Sequence, residues 1–133
     1  AVICGIMMDL DGLKAVNDTY GHLAGDRAIV HMAQIIKSVE RKDILGARYG
    51  GDEFVLIWLS EDGREMYNVE EQLEENKAKL NRLWPPHEQI DFSVGIFCCR
   101  DRDQFTAEEF LKQMDESMYQ AKKEKKSCSA TAL

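Results

Sequence analysis

A chain of 133 residues, 44% of them hydrophobic, has room for one core and not two, and a domain of this size buries roughly two-thirds of the surface its unfolded chain exposes. The formal charge of −7 excludes non-specific binding to nucleic acid, so an anionic ligand would have to be met by a metal or a local basic patch. No apolar run approaches the roughly 18 residues of a membrane-spanning helix.

Ala1 to Met8 is a continuous apolar run that Asp9-Leu10-Asp11-Gly12 breaks, which reads as a central strand ending at two acids. It lacks the basic flank of a signal peptide, and the chain is expected to have been cut from a longer protein. A polar stretch rich in Asn, Thr, Gly and His follows, from Lys14 to Asp26. From Arg27, the residues Ile29, Met32, Ile36 and Val39 recur at helical spacing, with Ala28 and Ile35 widening the stripe. Arg41-Lys42-Asp43 ends this helix, and Leu45 to Leu59 reads as two strands joined by a Gly50-Gly51 turn.

After a turn at Asp62-Gly63, Val69, Leu73, Leu80 and Leu83 trace a second amphipathic helix that Pro85-Pro86 stops. Its Glu70, Glu71, Glu74 and Glu75 form a solvated face. Ile90, Phe92, Val94, Ile96 and Cys98 then alternate with Asp91, Ser93, Gly95 and Phe97, a strand of period two. Thr106 and Glu109 form a capping box that opens a third helix through Phe110, Met114, Met118 and Ala121. The lysine-rich tail from Lys122 onward is expected to fray. The order predicts a ferredoxin-like α+β sandwich, β-α-β-β-α-β with an extra C-terminal helix, as a single domain over residues 1–133.

The four cysteines, Cys4, Cys98, Cys99 and Cys128, show no C-x-x-C spacing, and Cys98 and Cys99 point to opposite faces of a strand. Reduced thiols are expected, and no pairing with His22, His31 or His87 has the spacing of a zinc site.

The densest chemistry lies in Arg48-Tyr49-Gly50-Gly51-Asp52-Glu53-Phe54, which runs straight into Val55-Leu56-Ile57-Trp58-Leu59. Paired glycines offer positive φ for a tight turn, and room for a closely approaching phosphate. Asp52 and Glu53 sit at the lip of a buried strand, where charge is costly unless a cation or donors stand opposite. Taken alone, the segment is equally well a hairpin with solvated acids at its tip. The topology, however, lays the first strand beside this hairpin and brings Asp9 to the same place. Three converging carboxylates call for divalent cations, and hard oxygen ligands select Mg²⁺ or Mn²⁺. Magnesium retains positions for phosphates, which describes a two-metal site for in-line displacement at phosphorus.

Residues 48–54 resemble the signature of GGDEF domains, the diguanylate cyclases. Asp9-Leu10-Asp11-Gly12-Leu13-Lys14-Ala15-Val16-Asn17-Asp18-Thr19-Tyr20-Gly21-His22-Leu23-Ala24-Gly25-Asp26 is similar to that family's second block. Ser93-Val94-Gly95-Ile96 and Met114 to Lys122 resemble its fourth strand and last helix, so the resemblance covers residues 2 to 126. It implies a palm-polymerase-like fold that condenses two GTP molecules into cyclic di-GMP and two pyrophosphates across a homodimer. Asp9, the Leu10 carbonyl and Asp52 would bind the metals. Asp52 is also the position proposed to deprotonate the attacking 3′-hydroxyl, and Glu53 is a second catalytic acid. Asn17 and Asp26 would read guanine, since a carboxylate accepts from the N1 and N2 donors and an amide pairs with the remaining edge. His22 matches a position near ribose and phosphates. Gly50 and Gly51 leave room for the nucleotide, the Gly12 and Leu13 amides at the start of a short helix hold phosphate oxygens, and Lys14, Lys122 and Lys126 neutralise the triphosphate.

The chain departs from the family pattern in four places. Gly12-Leu13 stands where many members carry aromatic or bulky residues, which is expected to loosen the nucleotide pocket while keeping the amides. The product-inhibition motif Arg-x-x-Asp keeps Arg41 but has Ile44 in place of its aspartate, with Asp43 one residue early, so tight feedback binding is expected to be absent. The usual Gly-Arg-Asn ending is replaced by Glu124-Lys125-Lys126-Ser127. The Asp-x-Leu-Thr segment that precedes the family's first strand is missing. The resemblance further implies an upstream sensory domain and a cytoplasmic location, with any membrane anchor in the parent protein. The alternative is a catalytically silent domain that senses GTP or cyclic di-GMP; the intact Gly50-Gly51-Asp52-Glu53-Phe54 favours the enzyme.

Overall fold

Strand β1 (Val2–Leu10) is apolar on both faces because both are covered. The computed structural model describes residues 2–100 and 104–131, with side chains described through Lys125. After β1 come helices α1 (Leu13–Tyr20) and α2 (His22–Val39), strands β2 (Ile44–Arg48) and β3 (Glu53–Ser60), and helix α3 (Glu65–Asn81). A 3-10 turn (Pro86–Glu88), strand β4 (Phe92–Arg100) and helix α4 (Ala107–Thr131) complete the fold. The sheet is antiparallel in the order β2-β3-β1-β4, which is the expected ferredoxin-like arrangement.

Strand alternation sorts the side chains. Cys4, Ile6, Met8 and Leu10 of β1, with Phe54, Leu56 and Trp58 of β3, face α2 and α3, which contribute Met32, Ile35, Ile36, Met66, Val69 and Leu73 to the larger core. The opposite face carries Met7 and Val55 against Phe110, Met114 and Met118 of α4. Gly95 makes this second contact close: a Cβ there would lie 2.1 Å from the Met114 carbonyl oxygen and 2.3 Å from the Met118 nitrogen. Ser117 Oγ completes the join by accepting from the Ile96 N–H at 3.1 Å.

Four expectations need correction. Helix α2 starts at His22 rather than Arg27, and the polar stretch before it is α1, the short helix that the resemblance implies; no residue of α1 is buried, so it carries no apolar period to read. Gly12 (φ 71°) and Gly21 (φ 92°) set its ends in conformations side chains rarely adopt. Gly50 and Gly51 do not have positive φ. Tyr49 to Asp52 is long enough to turn without it, and the Arg48 guanidinium pins the turn by donating to the Gly50 and Gly51 carbonyls. β4 starts at Phe92 rather than Ile90, because the Asn81 side chain takes both backbone groups of Ile90, at 2.8 and 2.9 Å. Finally, α4 continues to Thr131, so the lysine-rich segment through that residue is helical. The capping box forms: Thr106 Oγ1 accepts from the Glu109 N–H at 3.1 Å.

Cys98 and Cys99 do fall on opposite faces, and Cys4 lies across from Cys98 with sulfurs 2.8 Å apart, both free. Among the described residues no helix is long and apolar enough to cross a membrane.

Candidate active site

Asp9 and Glu53 are cross-strand partners on β1 and β3, and their odd positions place both on the α4 face. Asp52 joins them one residue before β3, its carbonyl accepting the Leu10 N–H at 3.1 Å. One carboxylate oxygen from each of Asp9, Asp52 and Glu53 lies within 4.8 Å of the other two. Helix α4 brings the balancing charge: Met114, Met118 and Lys122 share one stripe, so the packing that seats the methionines delivers the Lys122 ammonium to Asp9 Oδ2.

Lys122 does not satisfy the cluster. Asp9 is 7% exposed, and its Oδ1 has no hydrogen-bond partner among the described residues. Burial, reinforced by Asp52 and opposed by Lys122, pushes the Asp9 carboxyl up to about 6. Burial, then Asp115 and Asp52, likewise raise Glu53. Burial works to lower the Lys122 ammonium, but Asp9, Asp11 and Asp52 outweigh it and hold its pKa above the ordinary value. Three acids facing one lysine, with one buried carboxylate oxygen unpaired, fit a hard divalent cation. A cleft of about 710 Å³ runs from Asp9 and Glu53 along α4 past Asp115, Tyr119 and Lys122.

Beyond the acids, Gly12 opens α1 with space around its Cα, since a Cβ there would meet nothing within 4 Å. A family model described as "Diguanylate cyclase, GGDEF domain" matches residues 2–128. The chain belongs to the GGDEF domain family. It is 38% identical over 124 residues to the probable diguanylate cyclase DgcJ of Escherichia coli strain K12, covering 93% of this chain and 24% of that protein. It is 30% identical over 118 residues to diguanylate cyclase A of Treponema denticola, covering 88% of this chain and 32% of that protein. Among solved structures it is similar to diguanylate cyclase SiaD, crystallised with its activator SiaC, from Pseudomonas aeruginosa: TM-score 0.81, 29% identity, 92% of this chain and 47% of that one. It is also similar to the GGDEF domain of DgcB from Caulobacter crescentus in complex with c-di-GMP: TM-score 0.74, 27% identity, 92% of this chain and 72% of that one. The chain therefore spans about a quarter to a third of the two curated relatives named.

The two glycines of the GGDEF signature occupy an exposed turn, while Glu53 and the buried Phe54 already belong to β3. A Cβ on Gly51 would meet nothing within 4 Å, and one on Gly50 would meet only Glu53, at 3.7 Å, so both leave open approach to Asp52. Leu13 begins α1 and Lys14 is exposed on it. Asn17 lies on α1 and the exposed Asp26 on α2, where the preceding residue, Gly25, packs against Asn17: a Cβ on Gly25 would sit 1.8 Å from Asn17 Oδ1. Gly25 is thus the residue that makes room for the Asn17 amide, a role invisible without the helix pairing. His22, the exposed first residue of α2, lies on the same helix. Lys126 is on α4, with its side chain outside those described. At the degenerate inhibition motif, Arg41 pairs with Asp43 at 3.7 Å, both well exposed, while Ile44 is buried at the start of β2.

Proposed function

We propose that this domain is a diguanylate cyclase unit. It condenses two GTP into cyclic di-GMP and two pyrophosphates when two copies face each other, each holding one nucleotide. The observation that carries this reading is the buried Asp9 carboxylate, its Oδ1 unpaired, clustered with Asp52 and Glu53 at the end of the strand that leads into α1. Asp9, the Leu10 carbonyl and Asp52 would hold Mg²⁺ or Mn²⁺. Such an ion, when bound, supplies charge neutralisation and a lowered pKa for the attacking hydroxyl.

In each half-reaction the 3′-oxygen of one GTP bonds to the α-phosphorus of the other. The bond to the bridging oxygen breaks, and pyrophosphate leaves with the charge. Asp52 accepts the hydroxyl proton, aided by Glu53. The Gly12 and Leu13 amides hold phosphate oxygens, and Lys122 shifts from Asp9 to the triphosphate, with Lys14 and Lys126 adding charge. Asn17 and Asp26 read the guanine edge, and His22 lies toward the ribose and phosphates. The domain, residues 1–133, works within a longer, cytoplasmically facing protein whose upstream sensory domain controls pairing of the two copies. With Ile44 buried where the aspartate would stand, feedback by product at Arg41 is absent.

One observation favours a second reading, a silent GTP-sensing domain: the Lys122 ammonium lies on Asp9. Incubation with GTP and Mg²⁺ at high protein concentration separates the two. Cyclic di-GMP supports the cyclase; GTP binding without product, even after fusion to a dimerising partner, supports the sensor.

A further inference from the structure

Three residues past Lys122, the ammonium of Lys125 gathers three acceptors. It donates to Asp11 Oδ2 at 2.5 Å and to the Phe92 carbonyl at 3.1 Å, and lies 2.9 Å from Asp91 Oδ2. The remaining oxygens of both acids are also engaged. Asp11 Oδ1 accepts from Ser93 Oγ at 2.8 Å, and Asp91 Oδ1 accepts from Lys77 Nζ at 2.7 Å and the Phe92 N–H at 2.9 Å. The Asp11 N–H itself donates to the Asp91 carbonyl at 3.0 Å. This network ties α4, the start of β4 and α3 to one point, the residue between Leu10 and Gly12.

That point has little else to hold it. Gly12 stands in open space at φ 71°, Leu13 is only partly buried, and α1 contains no buried residue. Turns with few apolar contacts open easily, so polar contacts decide how well they are ordered. A single half-exposed ion pair would contribute little. Lys125 differs because one ammonium spans two carboxylates and a carbonyl drawn from two separate segments.

We propose that Lys125 is a positioning residue. From the last helix it fixes the Asp11–Leu13 turn, so that the Leu10 carbonyl and the Gly12 and Leu13 amides stand aligned before nucleotide arrives. The inference rests on the cyclase reading for its catalytic consequence, and on the contacts alone for its structural one. Amides that grip phosphate in both ground and transition states contribute uniform binding, and their misalignment raises KM with kcat little changed.

The test compares the wild-type chain with Lys125→Met and Lys125→Arg. In Lys125→Met, nucleotide-free hydrogen exchange at the Asp11 and Val16 amides, which donate to the Asp91 and Gly12 carbonyls across the turn, is expected to speed up about tenfold, and KM for GTP to rise about tenfold with kcat within about twofold. Lys125→Arg, whose fork can still span two carboxylates, restores both. Unchanged exchange at these amides, or faster exchange spread evenly over the domain with unchanged KM, overturns the proposal. If Lys125→Met does not fold, Lys125→Gln is measured in the same way. If the wild type makes no product, the cyclase reading fails by itself, while the exchange result still decides whether Lys125 orders the turn.

Discussion

Replacing Asp9 by Asn removes a carboxylate that burial holds well above its ordinary range, which makes its energetic sign testable. Its pKa moves from 3.8 to about 6 on folding, and at 7% exposure solvent does little to blunt this. At roughly 1.36 kcal/mol per tenfold change in proton affinity, the group accounts for about 3 kcal/mol. Because the folded form binds the proton more tightly, that stability is fully present below about pH 4. It is lost as pH rises through about 6, when the buried carboxylate must ionise. The expectation is that Asp9→Asn and wild type, without metal, have a stability difference that shifts by about 3 kcal/mol in favour of the variant between pH 4 and pH 7. Urea unfolding across that range measures it, and subtracting the two curves cancels the titration of groups the substitution does not touch. Adding Mg²⁺ at pH 7 stabilises wild type and not the variant, since the cation takes the place of the proton. A difference independent of pH, or one that moves toward wild type, would mean that Lys122 outweighs burial, and the reasoning would fail.

Three further expectations follow from packing and sequence. Gly95→Ala places a methyl against the backbone of α4, 2.1 Å from the Met114 carbonyl oxygen, and lowers stability by about 2–3 kcal/mol in urea unfolding; a loss under about 0.5 kcal/mol would show that α4 is not seated as described. Gly25→Ala meets the movable Asn17 side chain instead, so the fold survives while thermal stabilisation by GTP over ATP narrows; undiminished preference for GTP would separate Asn17 from base reading. Cyclic di-GMP is expected not to inhibit tightly, and sub-micromolar inhibition abolished by Arg41→Ala would contradict the account of Ile44.

What was legible in the sequence is what periodicity and caps can carry. Met32, Ile35, Ile36 and Val39 bury the face of α2 that their spacing assigned, and Thr106 with Glu109 caps α4. The approach of Asp9 to the Gly50-Gly51-Asp52-Glu53 turn followed from strand order, while the register that pairs it with Glu53 did not. Contacts made by small or long residues across space were not legible. Gly25 and Gly95 matter for what approaches them, and no local pattern marks that. Lys125 sits in a lysine run whose members look alike until α4 is placed and one of them meets Asp11 and Asp91. Helix α1 entered only through the family resemblance, because it has no fully buried residue and its helicity left no apolar trace.

The central claim, that two copies of this site act together on two GTP molecules, is tested most directly by cyclic di-GMP formation as protein concentration rises and Asp52→Ala protein is mixed in. The account predicts specific activity that increases with concentration, no product from Asp52→Ala alone, and progressive poisoning of wild type in mixtures, because each pair needs two competent halves. Specific activity that is independent of concentration and indifferent to added Asp52→Ala, or no product under any condition, would contradict it.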